Sequence, residues 1–175
     1  MNLKQSTLVT LALLTSAAAQ ADWSANLGFA SDYYYRGIFQ ARSSPSAGLD
    51  FEKEGFYAGV WAADVKDGLE VDGYFGYGAE IGDVTVSAGY TGYFYTGDFD
   101  DTYQELNLGA GFGLVSLDVA VGKYDNFTGP QLNYTYYALT LEKNGFYGKY
   151  AGFSQDFTGN YFEAGYATTV AEIDF

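Results

Sequence analysis

The stretch Leu69-Glu70-Val71-Asp72-Gly73-Tyr74-Phe75-Gly76-Tyr77-Gly78-Ala79-Glu80-Ile81 decides the fold. Its odd positions are Leu69, Val71, Gly73, Phe75, Tyr77, Ala79 and Ile81; its even positions carry Glu70, Asp72, Tyr74, Gly76, Gly78 and Glu80. A β-strand sends successive side chains to opposite faces, so one face of this strand is apolar along its whole length and the other is acidic and small. An apolar face of that length needs either a second sheet or lipid against it. The choice separates a soluble sandwich from a membrane barrel.

Outward from that strand the same alternation recurs. Ten segments carry it, near 23–35, 45–53, 56–64, 69–80, 84–95, 102–111, 114–124, 131–142, 146–155 and 160–168. No helical period appears after the N-terminal leader. Strand one places Trp23, Ala25, Leu27, Phe29, Tyr33 and Tyr35 on its apolar side and Ser24, Asn26, Gly28, Ala30, Asp32, Tyr34 and Arg36 on the other. Segments 56–64 and 131–142 alternate poorly, and their faces stay unassigned from sequence.

The links between segments read as two alternating sizes. Lys53-Glu54-Gly55, Gly82-Asp83, Gly111-Phe112-Gly113 and Lys143-Asn144-Gly145 are tight, and Asn-Gly is a strong hairpin signal. Gly37 to Ser44, Val65 to Gly68, Thr96 to Asp101, Asp125 to Pro130 and Asp156 to Gly159 read as looser, with Pro45 and Pro130 at the strand starts beside them. Short turns at one end and longer loops at the other are the habit of an up-and-down outer-membrane barrel. The fold expected is therefore all-β, an antiparallel up-and-down transmembrane β-barrel of about ten strands. The competing reading is a secreted or periplasmic β-rich binding protein with its apolar face buried against a second sheet.

The ends of the chain refine this. Lys4, the apolar run Leu8–Leu14 and the small residues of Ala19-Gln20-Ala21 read as a cleaved signal peptide over 1–21, leaving 22–175 as a single barrel domain. Glu52-Lys53-Glu54-Gly55-Phe56-Tyr57 recurs as Glu142-Lys143-Asn144-Gly145-Phe146-Tyr147, on turns six strands apart by this count. A duplicated six-strand unit would give a twelve-strand barrel. Ile173-Asp174-Phe175 then reads as the start of an eleventh strand in a truncated sequence.

Composition limits the chemistry. The 175 residues hold 22 acids against 8 basic residues, a net charge of −14, which repels nucleic acid. There is no histidine and no cysteine, so the commonest catalytic base, metal ligands and disulfides are all missing. Aromatic residues make up 19%, too many for a disordered acidic chain, and tyrosine suits a boundary between hydrocarbon and water. No enzyme activity, cofactor or metal site is expected.

Ser31-Asp32-Tyr33-Tyr34-Tyr35-Arg36-Gly37-Ile38-Phe39-Gln40, followed by Glu54-Gly55-Phe56-Tyr57-Ala58-Gly59-Val60-Trp61, resembles the proteobacterial family named Gcw-chp. The resemblance implies an exported barrel protein with no established activity. It adds location and fold rather than function.

The site expected from the residues is a charged lumen. Asp32 and Arg36 stand four apart on the polar side of strand one, and Asp50, Glu52, Glu70, Asp72, Glu105, Asp118 and Glu163 join them from other strands. Such a network either selects cations in a porin-like channel or plugs a narrow structural barrel. Lys149 is a second candidate inward cation. Asp98, Asp100 and Asp101, with Asp64 and Asp67, read as a solvated acidic rim in the outer loops. The expected partners are outer-membrane lipid, the barrel-assembly machinery and small cations or solutes, in the outer membrane of a Gram-negative cell.

Overall fold

A computed structural model describes residues 22–170 and 173–174. The signal-peptide reading and the terminal Phe175 lie outside the described residues. Ten strands follow one another: β1 (Asp22–Tyr35), β2 (Ile38–Lys53), β3 (Phe56–Val65), β4 (Gly68–Ile81), β5 (Val84–Tyr95), β6 (Tyr103–Phe112), β7 (Val115–Tyr124), β8 (Leu132–Lys143), β9 (Phe146–Gln155) and β10 (Asn160–Tyr166). They form one sheet in sequence order, each neighbour antiparallel to the last. No helix occurs among the described residues. The all-β, up-and-down reading holds, and each of the ten alternating segments has its strand.

The sheet is not closed. β1 and β10 are its two edges and share no backbone pairing. Two further short strands, β11 (Thr169–Val170) and β12 (Ile173–Asp174), pair only with each other. Ile173-Asp174 is thus extended, but it does not add an eleventh strand to the sheet.

The link sizes correct the sequence reading at two places. Three of the four tight links sit where expected, the fourth falls at Gly113-Leu114 because Gly111 and Phe112 continue β6, and Arg36-Gly37 and Lys66-Asp67 are also two-residue turns. Ile38 to Ser44, expected as loop, belongs to β2. Only three links are long, over 96–102, 125–131 and 156–159, and all lie at the same end as those two turns. Pro45 accordingly sits inside β2, opposite Phe29. It is tolerated there because pairing of β2 with β3 begins only at Ser46, so the proline's missing N–H leaves no ladder bond unmade on that side. Beside it, the Ser44 hydroxyl donates to the Asp64 carbonyl at 2.6 Å.

The repeated hexapeptide forms the same turn twice. Glu54 and Gly55 have φ of 51° and 86°, Asn144 and Gly145 φ of 53° and 81°; positive φ at both central residues is the hairpin turn that matches strand twist. Gly55 O accepts from Gly78 N, and Gly145 O from Ala167 N, both at 2.8 Å. Tyr57 and Tyr147, which follow these turns, stand opposite Gly76 and Gly165 on the neighbouring strands. Tyr74 opposite Gly59 and Tyr134 opposite Gly122 repeat the arrangement. Each ring covers a glycine that leaves it room, which is how the inner face holds large side chains within a tight curl.

The curl is evident from contacts between distant strands: Arg36 beside β1 meets Glu105 in β6, and Tyr33 of β1 meets Glu70 in β4. The faces of β4 fall as its alternation predicts. Glu70 and Asp72 are buried on the concave side, while Leu69, Phe75, Tyr77 and Ile81 are exposed on the convex side. Leu106 and Leu108 of β6, Leu117 and Val121 of β7, Leu139 and Leu141 of β8 and Phe162 of β10 are exposed likewise. No second sheet covers this face among the described residues. The poorly alternating strands also resolve: Tyr57, Trp61 and Ala63 of β3, and Tyr134, Tyr136 and Ala138 of β8, turn to the concave side. Aromatics on both faces had blurred their pattern.

Candidate functional site

The site is built by the β1–β2 hairpin. From Asp22 to Ala30 the even residues of β1 face inward, as read from sequence. Beyond Ala30 the pattern inverts. Ser43 takes φ of 54° in β2, and the pairing register shifts between Tyr33 and Tyr34, leaving Gln40 unpaired as a bulge. Tyr33 and Tyr35, expected on the apolar outer face, turn inward beyond the left-handed Ser43, ahead of the Gln40 bulge: Tyr33 is buried, and the Tyr35 hydroxyl donates to that of Tyr93 at 2.6 Å. The hairpin tip lies across one mouth of the concave face. Gly37, at φ 79° in the turn, rests against the ring of Tyr161 in β10, where a Cβ would sit 2.8 Å from a ring carbon.

Arg36 sits at that tip and forks onto Glu105. Nη2 donates to Oε2 at 2.9 Å, and Nη1 donates to Oε1 in a second, shorter contact. The guanidinium also lies 4.1 Å from the centre of the Tyr136 ring, a cation–π contact. Glu105 is the hub. It also accepts from Tyr93 at 3.0 Å, Tyr134 at 2.8 Å and Asn107 at 3.1 Å. Its side chain has no exposed surface and that of Arg36 has 13%. A buried carboxylate is tolerable only when paired and fully hydrogen-bonded, and Glu105 meets both conditions.

The Asp32–Arg36 pair read from the sequence is not formed. The inversion of β1 carries Asp32 away from Arg36 and sets it 3.7 Å from Arg42, an exposed side chain. Of the other acids, Asp50 accepts from Asn26 at 3.0 Å and from Tyr74, and Glu163 accepts from Tyr147 at 3.0 Å. These two stand nearer the open mouth, far from the hub. Lys149 lies opposite Glu163 in the ladder. Asp118 is exposed, opposite Gly109. Glu70 and Asp72 are next to each other on β4, facing Tyr95 and Tyr93 across the strand pair. Tyr33 donates to Glu70 Oε1 at 2.9 Å, whereas Glu70 Oε2 and Asp72 Oδ1 are buried with no hydrogen-bond partner.

Aromatic rings fill the rest of this mouth. Tyr103 stacks on Tyr124 at 4.4 Å, and Phe157 from the β9–β10 loop stacks on Tyr134 at 4.8 Å. Two of the supposed rim acids belong to this layer rather than to a solvated rim. Asp100 accepts from Tyr103 at 2.9 Å and Tyr124 at 2.8 Å, and Asp101 accepts from the Phe127 backbone N–H at 2.5 Å. Among the described residues no three acids converge as a metal site would require. The sequence reading missed Tyr93, Tyr103, Tyr124 and Tyr134 as interior residues. Their signal was available: each shares the parity of an inward acid, glycine or alanine on its own strand, such as Glu105 beside Tyr103 and Gly122 beside Tyr124.

Fold and site together define an all-β protein whose ten-stranded sheet has an apolar convex face and an ion-paired aromatic layer across one mouth. The chain belongs to the Gcw_chp family, described as a bacterial protein of unknown function, whose model matches residues 15–148. That span contains Arg36, Glu105 and the tyrosines that bind Glu105. No curated protein and no solved structure matches the chain.

Proposed function

We propose that the chain is a non-enzymatic outer-membrane β-barrel, exported by a cleaved signal peptide, whose lumen is plugged at one mouth by its first hairpin. The observation that carries this is the Arg36–Glu105 fork, which joins the hairpin tip to the far wall of a sheet with an exposed apolar convex face. Lipid-exposed sheet edges are not tolerated in a bilayer core, so β1 and β10 must pair there, starting from the mouth where Gly37 already meets Tyr161. A row of outward aromatics, Trp23, Phe56, Tyr77, Phe112, Phe146 and Tyr166, lies at the end with the uniformly tight turns and fits a headgroup girdle. The acid excess of the interior favours cations over anions for anything that passes.

Two measurements on the refolded chain test this. A closed barrel resists detergent, so unboiled and boiled samples should migrate differently on a denaturing gel. In a planar bilayer the wild type should carry no steady current. Arg36→Gln, which unseats the tip and leaves Glu105 uncompensated, should give a cation-selective one. A detergent-independent soluble monomer would overturn the membrane assignment; a steady wild-type current would overturn the plug.

A further inference from the structure

We infer, resting on the plugged-barrel reading, that the plug moves: the tip of the β1–β2 hairpin, residues 32–42, is a gate that swings as one body about Ser31 and Ser43, with Arg36 as its latch. The tip lies beyond the end of the neighbouring wall. β2 pairs with β3 only from Ser46 onward, and the Ser44 hydroxyl on the Asp64 carbonyl is the last hydrogen bond between them. β1 has no other neighbour in the sheet. The hairpin continues past that level through 38–43, roughly 20 Å of chain at about 3.3 Å per residue, and this length carries it across the mouth. Among the described residues no backbone hydrogen bond joins 32–42 to any strand outside the hairpin.

The hairpin's own ladder holds the hinge. Ala30 pairs with Ser44 and Asp32 with Arg42, but Ser31 and Ser43 between them do not pair. Both strands thus lose their pairing at one level, just where the last bond to β3 ends. Ser43 also takes a left-handed φ of 54°, uncommon for a residue with a Cβ and concentrated at functional and switch positions. A few such residues are enough to absorb the rotation of a flap. Past the hinge the tip is braced within itself, by the Tyr34 ring against that of Phe39 at 5.3 Å and by the pairing of Tyr35 with Ile38.

Side chains alone hold the gate shut. Arg36 forks onto Glu105 in β6, Tyr35 donates to Tyr93 in β5 and Tyr33 donates to Glu70 in β4. One cost opposes them. The Glu70 carboxyl that Tyr33 caps keeps Oε2 buried with no hydrogen-bond partner, and opening returns that oxygen to water. The closed state is a balance between the latch and this buried acceptor. Segments without backbone ties to their surroundings are the ones that open locally.

The chain has no cysteine, so paired nitroxides read the motion in the refolded full chain in lipid vesicles. Ile38→Cys with Leu106→Cys spans the tip and the far wall. Leu27→Cys with Leu106→Cys spans the base of the same hairpin and that wall; all three positions are exposed. Pulsed dipolar spectroscopy should give the tip pair a major distance and a longer minor one, and the base pair a single distance. Arg36→Gln should raise the ratio of long to short at least about tenfold, the order of one charge-assisted hydrogen bond, and leave the base pair unchanged. Tyr35→Phe, which keeps the ion pair and with it the fold, should raise the ratio by a smaller factor. A single tip distance in the wild type and both variants would overturn the gate. So would a tip distance that changes only together with the base distance, because the whole sheet would then be loosening. The gel shift and the wild-type current test the plugged barrel separately: if both come out as expected while the tip distance stays single, the plug is fixed and only the gate fails.

Discussion

Arg36→Gln is expected to destabilise the folded protein by about 3–5 kcal/mol, the usual consequence of removing one partner from a buried ion pair. The cause is what stays behind. Glu105 would keep its donors from Tyr93, Tyr134 and Asn107 but lose the guanidinium that offsets it, with Glu70 and Asp72 on nearby β4. The tip of the β1–β2 hairpin would also lose its anchor to the far wall. Replacing both partners, Arg36→Gln with Glu105→Gln, should recover most of the loss, because the double variant buries no unpaired charge. Urea unfolding in detergent micelles, followed by tryptophan fluorescence, gives all corners of the cycle. Equal losses in single and double variants would mean that the hairpin is held by its aromatic contacts and not by the ion pair.

Phe75→Arg should have the next largest effect, about 2–4 kcal/mol for a charge near the bilayer midplane. Phe75 is 53% exposed on the convex face and packs only sideways, 5.7 Å from the ring of Tyr90. In water an exposed Phe→Arg change would be nearly neutral, so the loss measures contact with lipid rather than with protein. Asp72→Asn, three residues away on the concave face, should cost far less, because Asp72 brings no satisfied ion pair to the fold. Folding titrations into lipid vesicles compare the two. Similar tolerance at both positions would contradict the assignment of faces.

How much of this was legible in the sequence follows from where the period of two runs unbroken. β4 keeps it from Leu69 to Ile81, and its faces were read correctly residue by residue. β1 keeps it only to Ala30. The bulge at Gln40 and the left-handed Ser43 have no composition signature beyond polar residues that look like loop. The run Tyr33-Tyr34-Tyr35 offers no contrast by which to notice the inversion. That one local irregularity accounts for the Asp32–Arg36 pairing, for the outward assignment of Tyr33 and Tyr35, and for reading Gly37 to Ser44 as a loop. Arg36 and Glu105 were both recognised as inward charges, but they are separated by 69 residues. Their meeting depends on the curl of six strands, which no local pattern encodes. Asp100 was misplaced for the same kind of reason: its partners Tyr103 and Tyr124 come together only once β6 and β7 pair.

The central claim, that the convex face meets lipid while the concave face is closed off from it, is tested most directly by site-resolved quenching. The chain has no cysteine, so single cysteines at Leu106 and Asn107 place one fluorescent label on each face of β6 without side reactions. Vesicles carrying a nitroxide on the lipid chain, and iodide added in water, provide the two quenchers. The expected result is strong quenching of the residue 106 label by lipid nitroxide and little by iodide, with lipid quenching much weaker at residue 107. Iodide quenching at residue 106 with no effect of the lipid nitroxide would show that the apolar face is not in the membrane, and would contradict the account.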